Sequence, residues 1–342
     1  MFKTLLRNFV VLALLSAPCW AGVPREKQEG AHRNREQITQ ISELWRSPGD
    51  IRGRDLFYGN GGKEHAPHTV YTFIKEDMNG TNPKIRVRDE QGVKWRVKLG
   101  VEARPETVAS RLVWAVGYST NEFYFLPEMR VEGLPARLRR GQNLVLPGGV
   151  LRNVDLKRLD DGDKKVGIWR WRDNPFLGTR EFNGLRVMMA LINNWDLKDD
   201  NNAIYKMVNG GSKEESFRVS DLGASFGSSG PSWTPAMAKG NLQSYERSKF
   251  IGKVTSHDVD FDFPTRPALK YLFDPPALIE HLRMRWIGRR VPRADARWIG
   301  GLLSELSEDQ IRDAFRAGGY NSKQVDAYAR LVVERIHQLN GL

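Results

Sequence analysis

The sequence predicts an α+β fold in which a strand-rich N-terminal part precedes a larger helical part, and three observations support this. Between residues 68 and 100, "TVYTFIKED", "KIRVRD" and "VKWRVKLG" alternate apolar with polar side chains and are joined by the turn-forming stretches "MNGTNP" and "EQG". That is the pattern of an antiparallel meander. Beyond about residue 170 the apolar spacing becomes helical, over 181–194, 266–284 and two C-terminal segments. The composition, 40% hydrophobic and 27% charged with 10 Trp and 15 Phe, belongs to a chain that buries a core. No internal repeat is visible.

Residues 1–21, "MFKTLLRNFVVLALLSAPCWA", combine a basic start, an apolar run from Phe9 to Leu15 and a small residue at Ala21. This is the layout of a secretory signal cleaved before Gly22, so the mature chain is expected to be exported, periplasmic or secreted. The apolar run is short for a membrane span of about 20 residues. Residues 22–67 read as a polar N-terminal extension, with a helix expected at "REQITQISELW" (35–45) and a loop at "YGNGGKEHAPH". Residues 68–165 form the strand-rich part. Within it "PETVASRLVWAVGY" (105–118) opens on proline with a glutamate in its first turn, which predicts a helix, before "EFYFLPEMRV" and "NLVLPGGVLRNVDLKRL" return to extended structure. Residues 166–290 form the helical part and 291–342 a helical appendage. In the appendage "SEDQIRDAFRAG" and "NSKQVDAYARLVVERIHQL" open with Ser or Asn followed three residues later by Gln, approximating N-terminal caps.

Cys19, the only cysteine, lies in the segment expected to be removed. The mature chain therefore has no disulfide, no thiolate metal site and no thiol nucleophile. Loss of Lys3 and Arg7 with that segment lowers the formal charge from +12 to +10. The remaining basic balance favours an anionic partner, such as a nucleotide, a phospholipid surface, an acidic glycan or nucleic acid, although no RNA-reading or DNA-reading motif is present.

The loop "LINNWDLKDDNNAIY" (191–205) concentrates polar and acidic residues directly after an apolar helical stretch. Asp196, Leu197, Lys198 and Asn201 reproduce the pattern D-L-K-x-x-N, and "SDLGASFG" (220–227) follows. Before them come a strand ending in a lysine, "WRVKLG", and a helix with a glutamate, "RPETVASR". This order of strand lysine, helix glutamate, catalytic loop and D-x-G segment resembles the protein-kinase-like superfamily, particularly its atypical, secreted or bacterial branches, over most of residues 68–285.

The resemblance implies a two-lobed fold with ATP and Mg²⁺, or Mn²⁺ in its place, between the lobes. It also implies transfer of the γ-phosphoryl group to a hydroxyl of a protein, sugar or lipid acceptor. On that pattern Lys98 reaches two phosphates, and its carboxylate partner is Glu106 or its close rival Glu102. Asp196 orients the substrate hydroxyl, and Lys198 steadies the transferring phosphoryl. Asn201 and Asp221 bind the metal through hard oxygen ligands, with Asn202 replacing Asn201 if the loop is one residue longer. Asn79 and Gly80, in "EDMNGTNPKIRV", stand where a phosphate-covering turn is expected, and "YGNGG" (58–62) is the alternative.

The chain also departs from the family pattern. Trp195 and Asn194 replace the usual arginine and histidine before the catalytic aspartate, Leu222 replaces phenylalanine, and there is no A-P-E segment and no triple-glycine loop. Substrate recognition in the typical protein-kinase manner is therefore not implied. Two other readings compete: a secreted pseudokinase that binds a nucleotide or partner, and an envelope protein of unrelated fold that binds an anionic ligand.

Other chemistries have thinner support. His65, His68, His257 and Asp258 fit no compact metal motif. "GASFG" (223–227) has a superficial likeness to a nucleophile elbow, and Ser225 is not expected to act as one. The aromatic group "WRWRDNPF" (169–176) suits either stacking on bases or sugars or packing between the two parts of the chain.

Overall fold

The structure, a computed structural model, describes residues 42–80, 82–159, 164–209, 212–227, 239–262, 279 and 282–342. The alternating runs are strands. After a short β1 (Ser42–Glu43) come β2 (Tyr71–Asp77), β3 (Lys84–Asp89) and β4 (Lys94–Leu99), consecutive and antiparallel. Helix α1 (Ala103–Ala115) follows, then β5 (Phe123–Glu132), β6 (Val145–Leu146) and β7 (Val150–Leu159). β7 lies antiparallel between β4 and β5, and the start of β2 pairs in parallel with the end of β5, Tyr71 opposite Val131. These pairings close the five strands β2, β3, β4, β7 and β5 into a barrel, which leaves no free edge among them.

Period-two alternation decides which side chains fill that barrel. On β4, Trp95, Val97 and Leu99 join the barrel core, together with Val154 and Leu156 of β7. Lys94, Arg96 and Lys98 take the opposite face, as do Asp155 and Lys157 of β7, and the register sets Lys98 against Asp155. One sheet face is thus apolar and the other charged.

The rest of the chain builds a second core. After β8 (Lys164–Gly167), helix α2 (Arg180–Leu191) starts at Thr179, whose side chain accepts a hydrogen bond from the Phe182 N–H. The hairpin of β9 (Asn202–Asn209) and β10 (Ser212–Val219) comes next, with β8 and β1 on its flanks. Then come α3 (Leu242–Arg247), a small sheet of β11 (Ile251–Val254), β12 (Asp258–Phe261) and β13 (Val291–Pro292), and helices α4 (Arg293–Leu303), α5 (Glu308–Ala317) and α6 (Ser322–Asn340). Capping boxes at Ser307/Gln310 and Asn321/Gln324 open α5 and α6, as the sequence spacing predicts. Val108 and Leu112 of α1, Met188 of α2, Phe315 of α5 and Tyr328 of α6 all belong to this one core. The observed fold is therefore α+β, with a strand-rich N-terminal region followed by a helical region. Among the described residues no helix is long and apolar enough to cross a membrane.

Three local expectations fare differently. The helix expected over 35–45 is extended where it is described: Ser42–Glu43 pairs in parallel with β10, and Trp45 bridges to Tyr118. Cross-strand pairing has overridden a weak helical pattern there. Most of the helix expected over 266–284 lies outside the described residues. The stretch "WRWRDNPF" packs inward: Trp169 and Trp171 are buried against each other and against Phe182, so neither ring is free to stack on a ligand.

Candidate functional site

The charged face of the barrel places Lys98 against α1. Its ammonium, 2% exposed, donates to Glu106 Oε2, to Glu102 Oε2 at 3.2 Å and to Asp221 Oδ1 at 3.3 Å. Asp221 lies 123 residues further along the chain. Both candidate glutamates thus pair with Lys98, from different positions. Glu106 is wholly buried in the first turn of α1. Glu102 sits at the N-cap of α1 but caps nothing, because its carboxylate also accepts from Asn82 and from Lys239. The carboxylates of Glu102, Glu106 and Asp221 offer oxygens within 4.8 Å of one another. Gly223 permits this approach, since a Cβ there would stand 2.7 Å from the Glu102 Cβ.

Asp155 adds a fourth carboxyl. It is 1% exposed, and neither of its oxygens has a hydrogen-bond donor among the described residues; Glu106 Oε1 is equally without one. These two acids can hydrogen-bond to each other only when one holds a proton. Burial pushes Glu106 well above the usual carboxylate range despite Lys98, with Asp155 and Asp221 adding to the push. Burial likewise raises Asp155 against the pull of Lys98. Asp221 behaves oppositely: burial opposes its ionisation, but Lys98 and the Gly223 N–H outweigh that and bring it down to about 2. Lys98 itself is held well above its ordinary value, because the surrounding carboxylates overcome its burial.

The D-L-K-x-x-N loop follows directly from the end of α2. Asn193 turns the chain through a left-handed conformation, φ 54°, and is held by the Gly227 carbonyl and Ser248 Oγ. Asn194 then accepts from the Asp196 N–H at 3.0 Å. Lys198 Nζ lies 3.6 Å from Asp196 Oδ1, and the Asn201 amide donates to the Asp196 carbonyl at 2.7 Å. Two backbone hydrogen bonds join this loop to the D-L-G segment: Trp195 N–H to the Ala224 carbonyl, and Ser220 N–H to the Asn201 carbonyl at 2.7 Å. Asn201 therefore stands beside the residue that precedes Asp221. Asn202 is buried and points into the scaffold, donating to the Trp169 carbonyl at 3.1 Å.

Next to this cluster the charged barrel face and the β9–β10 hairpin enclose a cleft of about 720 Å³. Asn79 lines it, and so does Lys84, which donates to the Asn79 carbonyl. Gly80 takes φ 70° in the same turn, its carbonyl held by Arg140. Burial and the nearby charges of Lys98 and Arg96 pull the Lys84 ammonium below its ordinary value. The glycines of "YGNGG" do other work: Gly59 packs on Arg111 and Gly61 on Tyr124.

The remaining candidates do not converge. His65 pairs with Glu122 and His68 with Asp89, while the His257 carbonyl accepts from the Arg293 N–H. Ser225 is wholly buried, with no exposed turn to present its hydroxyl. Sequence reasoning missed Lys239, which bonds Glu102 and lies 5.5 Å over the Trp195 ring; nothing in its surrounding sequence singles it out. It also missed Asp155, for which a signal existed, the single acid in an alternating strand whose other charged residues, Arg152, Lys157 and Arg158, are all basic.

No protein-family model matches the chain, and no curated protein matches it. Among solved structures it is similar to the Helicobacter pylori proinflammatory kinase CtkA, with 12% identity and a TM-score of 0.45 over 80% of this chain and 97% of that one.

Proposed function

We propose that this chain is an exported phosphotransferase that moves the γ-phosphoryl group of ATP to a hydroxyl of a protein, sugar or lipid acceptor. One observation supports this above the others: Lys98, Glu106 and Asp221, from a strand, a helix and a D-L-G segment, meet within hydrogen-bonding reach beside the D-L-K-x-x-N loop. The residues fit a magnesium nucleotide. Glu106 keeps a buried carboxylate oxygen with no donor, Asp221 stays ionised, and the adjacent cleft is lined with cations. Bound Mg²⁺ would supply charge neutralisation for the polyphosphate.

In this reading Glu106 fixes the position of Lys98, so that its ammonium meets phosphate oxygens without first being ordered. Asp221 and Asn201 would hold the metal. Asp196 orients the acceptor hydroxyl and accepts its proton, and Lys198, close to Asp196, balances charge on the moving phosphoryl. Asn79 and the amides of the 78–80 turn cover the phosphates.

Calorimetry of the mature protein with ATP, with and without Mg²⁺ or Mn²⁺, tests the reading. Metal-dependent binding that disappears in Asp221→Ala is expected. Turnover should fall about 100-fold or more in Asp196→Ala with the melting temperature preserved. A folded wild type that binds no magnesium nucleotide would sink the proposal, and binding without turnover would make the protein a nucleotide-binding module.

A further inference from the structure

Among the described residues of the turn that follows β2, Gly80 alone takes a left-handed backbone, φ 70°. A turn with one glycine has little conformational freedom of its own, so its shape depends on what its other groups are bonded to. Three of its carbonyls are held by cations. Arg140 donates through Nη1 to the Gly80 carbonyl at 2.5 Å and through Nη2 to the Asp77 carbonyl at 2.8 Å, while Lys84 takes the Asn79 carbonyl at 3.3 Å. The Asp77 carboxylate accepts from the Asn79 N–H at 3.2 Å and so closes the turn from within.

The loop that carries Arg140, residues 133–144 between β5 and β6, is itself fastened to both sides of this turn. On one side the Glu76 carboxylate of β2 accepts from the Arg139 N–H at 3.0 Å and the Arg140 N–H at 3.4 Å. On the other, Gly141 lies against Pro83, so closely that a Cβ there would stand 2.6 Å from the Pro83 Cβ. Leu138 roots the loop in the barrel core, and its N–H donates to Gln142 Oε1 at 2.6 Å. Asp77 and Asn79 line the cleft, whereas Arg140 is not part of its described lining. The guanidinium therefore grips the turn from outside the cleft.

We propose that Arg140 is a positioning residue, a brace that holds the 77–80 backbone as a preformed cover for the phosphates of a nucleotide. Its planar fork keeps two carbonyls at a fixed separation, which a lysine ammonium cannot do. The turn then meets its ligand already ordered, so that less binding energy is lost in arranging it. The use of the cover on phosphates rests on the phosphotransferase reading, whereas the hold of Arg140 on the turn does not.

Two measurements on the mature protein test the brace. Without ligand, hydrogen exchange of the amides of residues 78–80 should quicken about tenfold in Arg140→Met, and less than about twofold in Arg152→Gln, an exposed control on β7. By calorimetry, Arg140→Met should bind Mg-ATP about tenfold more weakly with its melting temperature close to that of wild type, and Arg140→Lys should not restore the affinity. If Arg140→Met does not fold, Glu76→Gln, which loosens the loop from β2, gives the same two readouts with changes of about threefold. Unchanged exchange, undiminished Mg-ATP affinity, or full recovery in Arg140→Lys overturns the proposal. The two readings fail separately. A folded wild type that binds no magnesium nucleotide, but whose turn exchanges faster in Arg140→Met, ends the phosphotransferase reading and upholds the brace; equal Mg-ATP binding by wild type and Arg140→Met does the reverse.

Discussion

Lys98 and Arg335 are both buried cations, and the protein houses them in opposite ways. Arg335, on α6, donates to the carbonyls of Leu191, Tyr245 and Ser248 and to the Ser248 hydroxyl at 2.7 Å, and it stacks 3.9 Å over the Tyr245 ring. Its hydrogen-bond partners are neutral oxygens. Lys98 instead faces Glu102, Glu106 and Asp221 directly, with Asp155 opposite on the next strand. The first site is saturated without any opposite charge. The second holds more negative charge than its lysines balance, so it retains affinity for further cations, whether protons or metal ions. A saturated buried charge belongs to scaffolding, whereas an oversupplied one is fitted for chemistry.

The contrast can be broken or sharpened by substitution. The largest effect is expected from Arg335→Ala, which orphans several buried carbonyls and leaves a cavity. It should cost about 4 kcal/mol, seen in chemical denaturation, and neither Mn²⁺ nor mild acid should restore the loss. Lys98→Met should cost somewhat less, about 3 kcal/mol at neutral pH, because it strands buried carboxylates. There the loss should be partly recoverable: Mn²⁺ added to Lys98→Met should raise its melting temperature more than that of wild type, through Glu102, Glu106 and Asp221. Equal responses in the two variants would erase the distinction between the sites.

The smallest effect runs the other way. Asp155→Asn should stabilise the protein by about 1 kcal/mol at neutral pH, since an amide can donate to the partnerless Glu106 oxygen. The pH dependence fixes the sign. Glu106 and Asp155 have folded values raised above their ordinary 4.5 and 3.8. Between the ordinary and the raised values the folded state therefore holds more protons than the unfolded one. Wild-type stability should fall as pH rises through that window, and the fall should be shallower in Asp155→Asn. Melting curves from pH 4 upward measure it, and identical slopes would remove Asp155 from the coupled group.

Much of this architecture was legible because local patterns and tertiary demands agree. The β3 and β4 runs alternate cleanly, and Ser307 and Asn321 carry their capping partners three residues on. Lys98, Asp196 and Asp221 could be picked out because short spacings mark them. The cationic cleft could not, because Lys84, Arg96, Lys157 and Arg218 stand on four strands, β3, β4, β7 and β10, and meet only through the pairing of the barrel strands and the placement of the hairpin. The choice between Glu102 and Glu106 had no local answer either. Both reach Lys98, one from the N-cap position and one from the first helical turn, and helix geometry alone permits either.

The β9–β10 hairpin has a consequence for how the chain can vary. Its ladder runs from Asn202 opposite Val219 to Asn209 opposite Ser212, and its mouth is pinned by the Ser220 to Asn201 hydrogen bond. The distance in sequence between the D-L-K-x-x-N loop and Asp221 is therefore only the length of a ribbon, while their distance in space is set at its base. Residue pairs can be added or removed toward the far end without moving Asn201 relative to Asp221, which makes that end the natural place to splice in a reporter peptide.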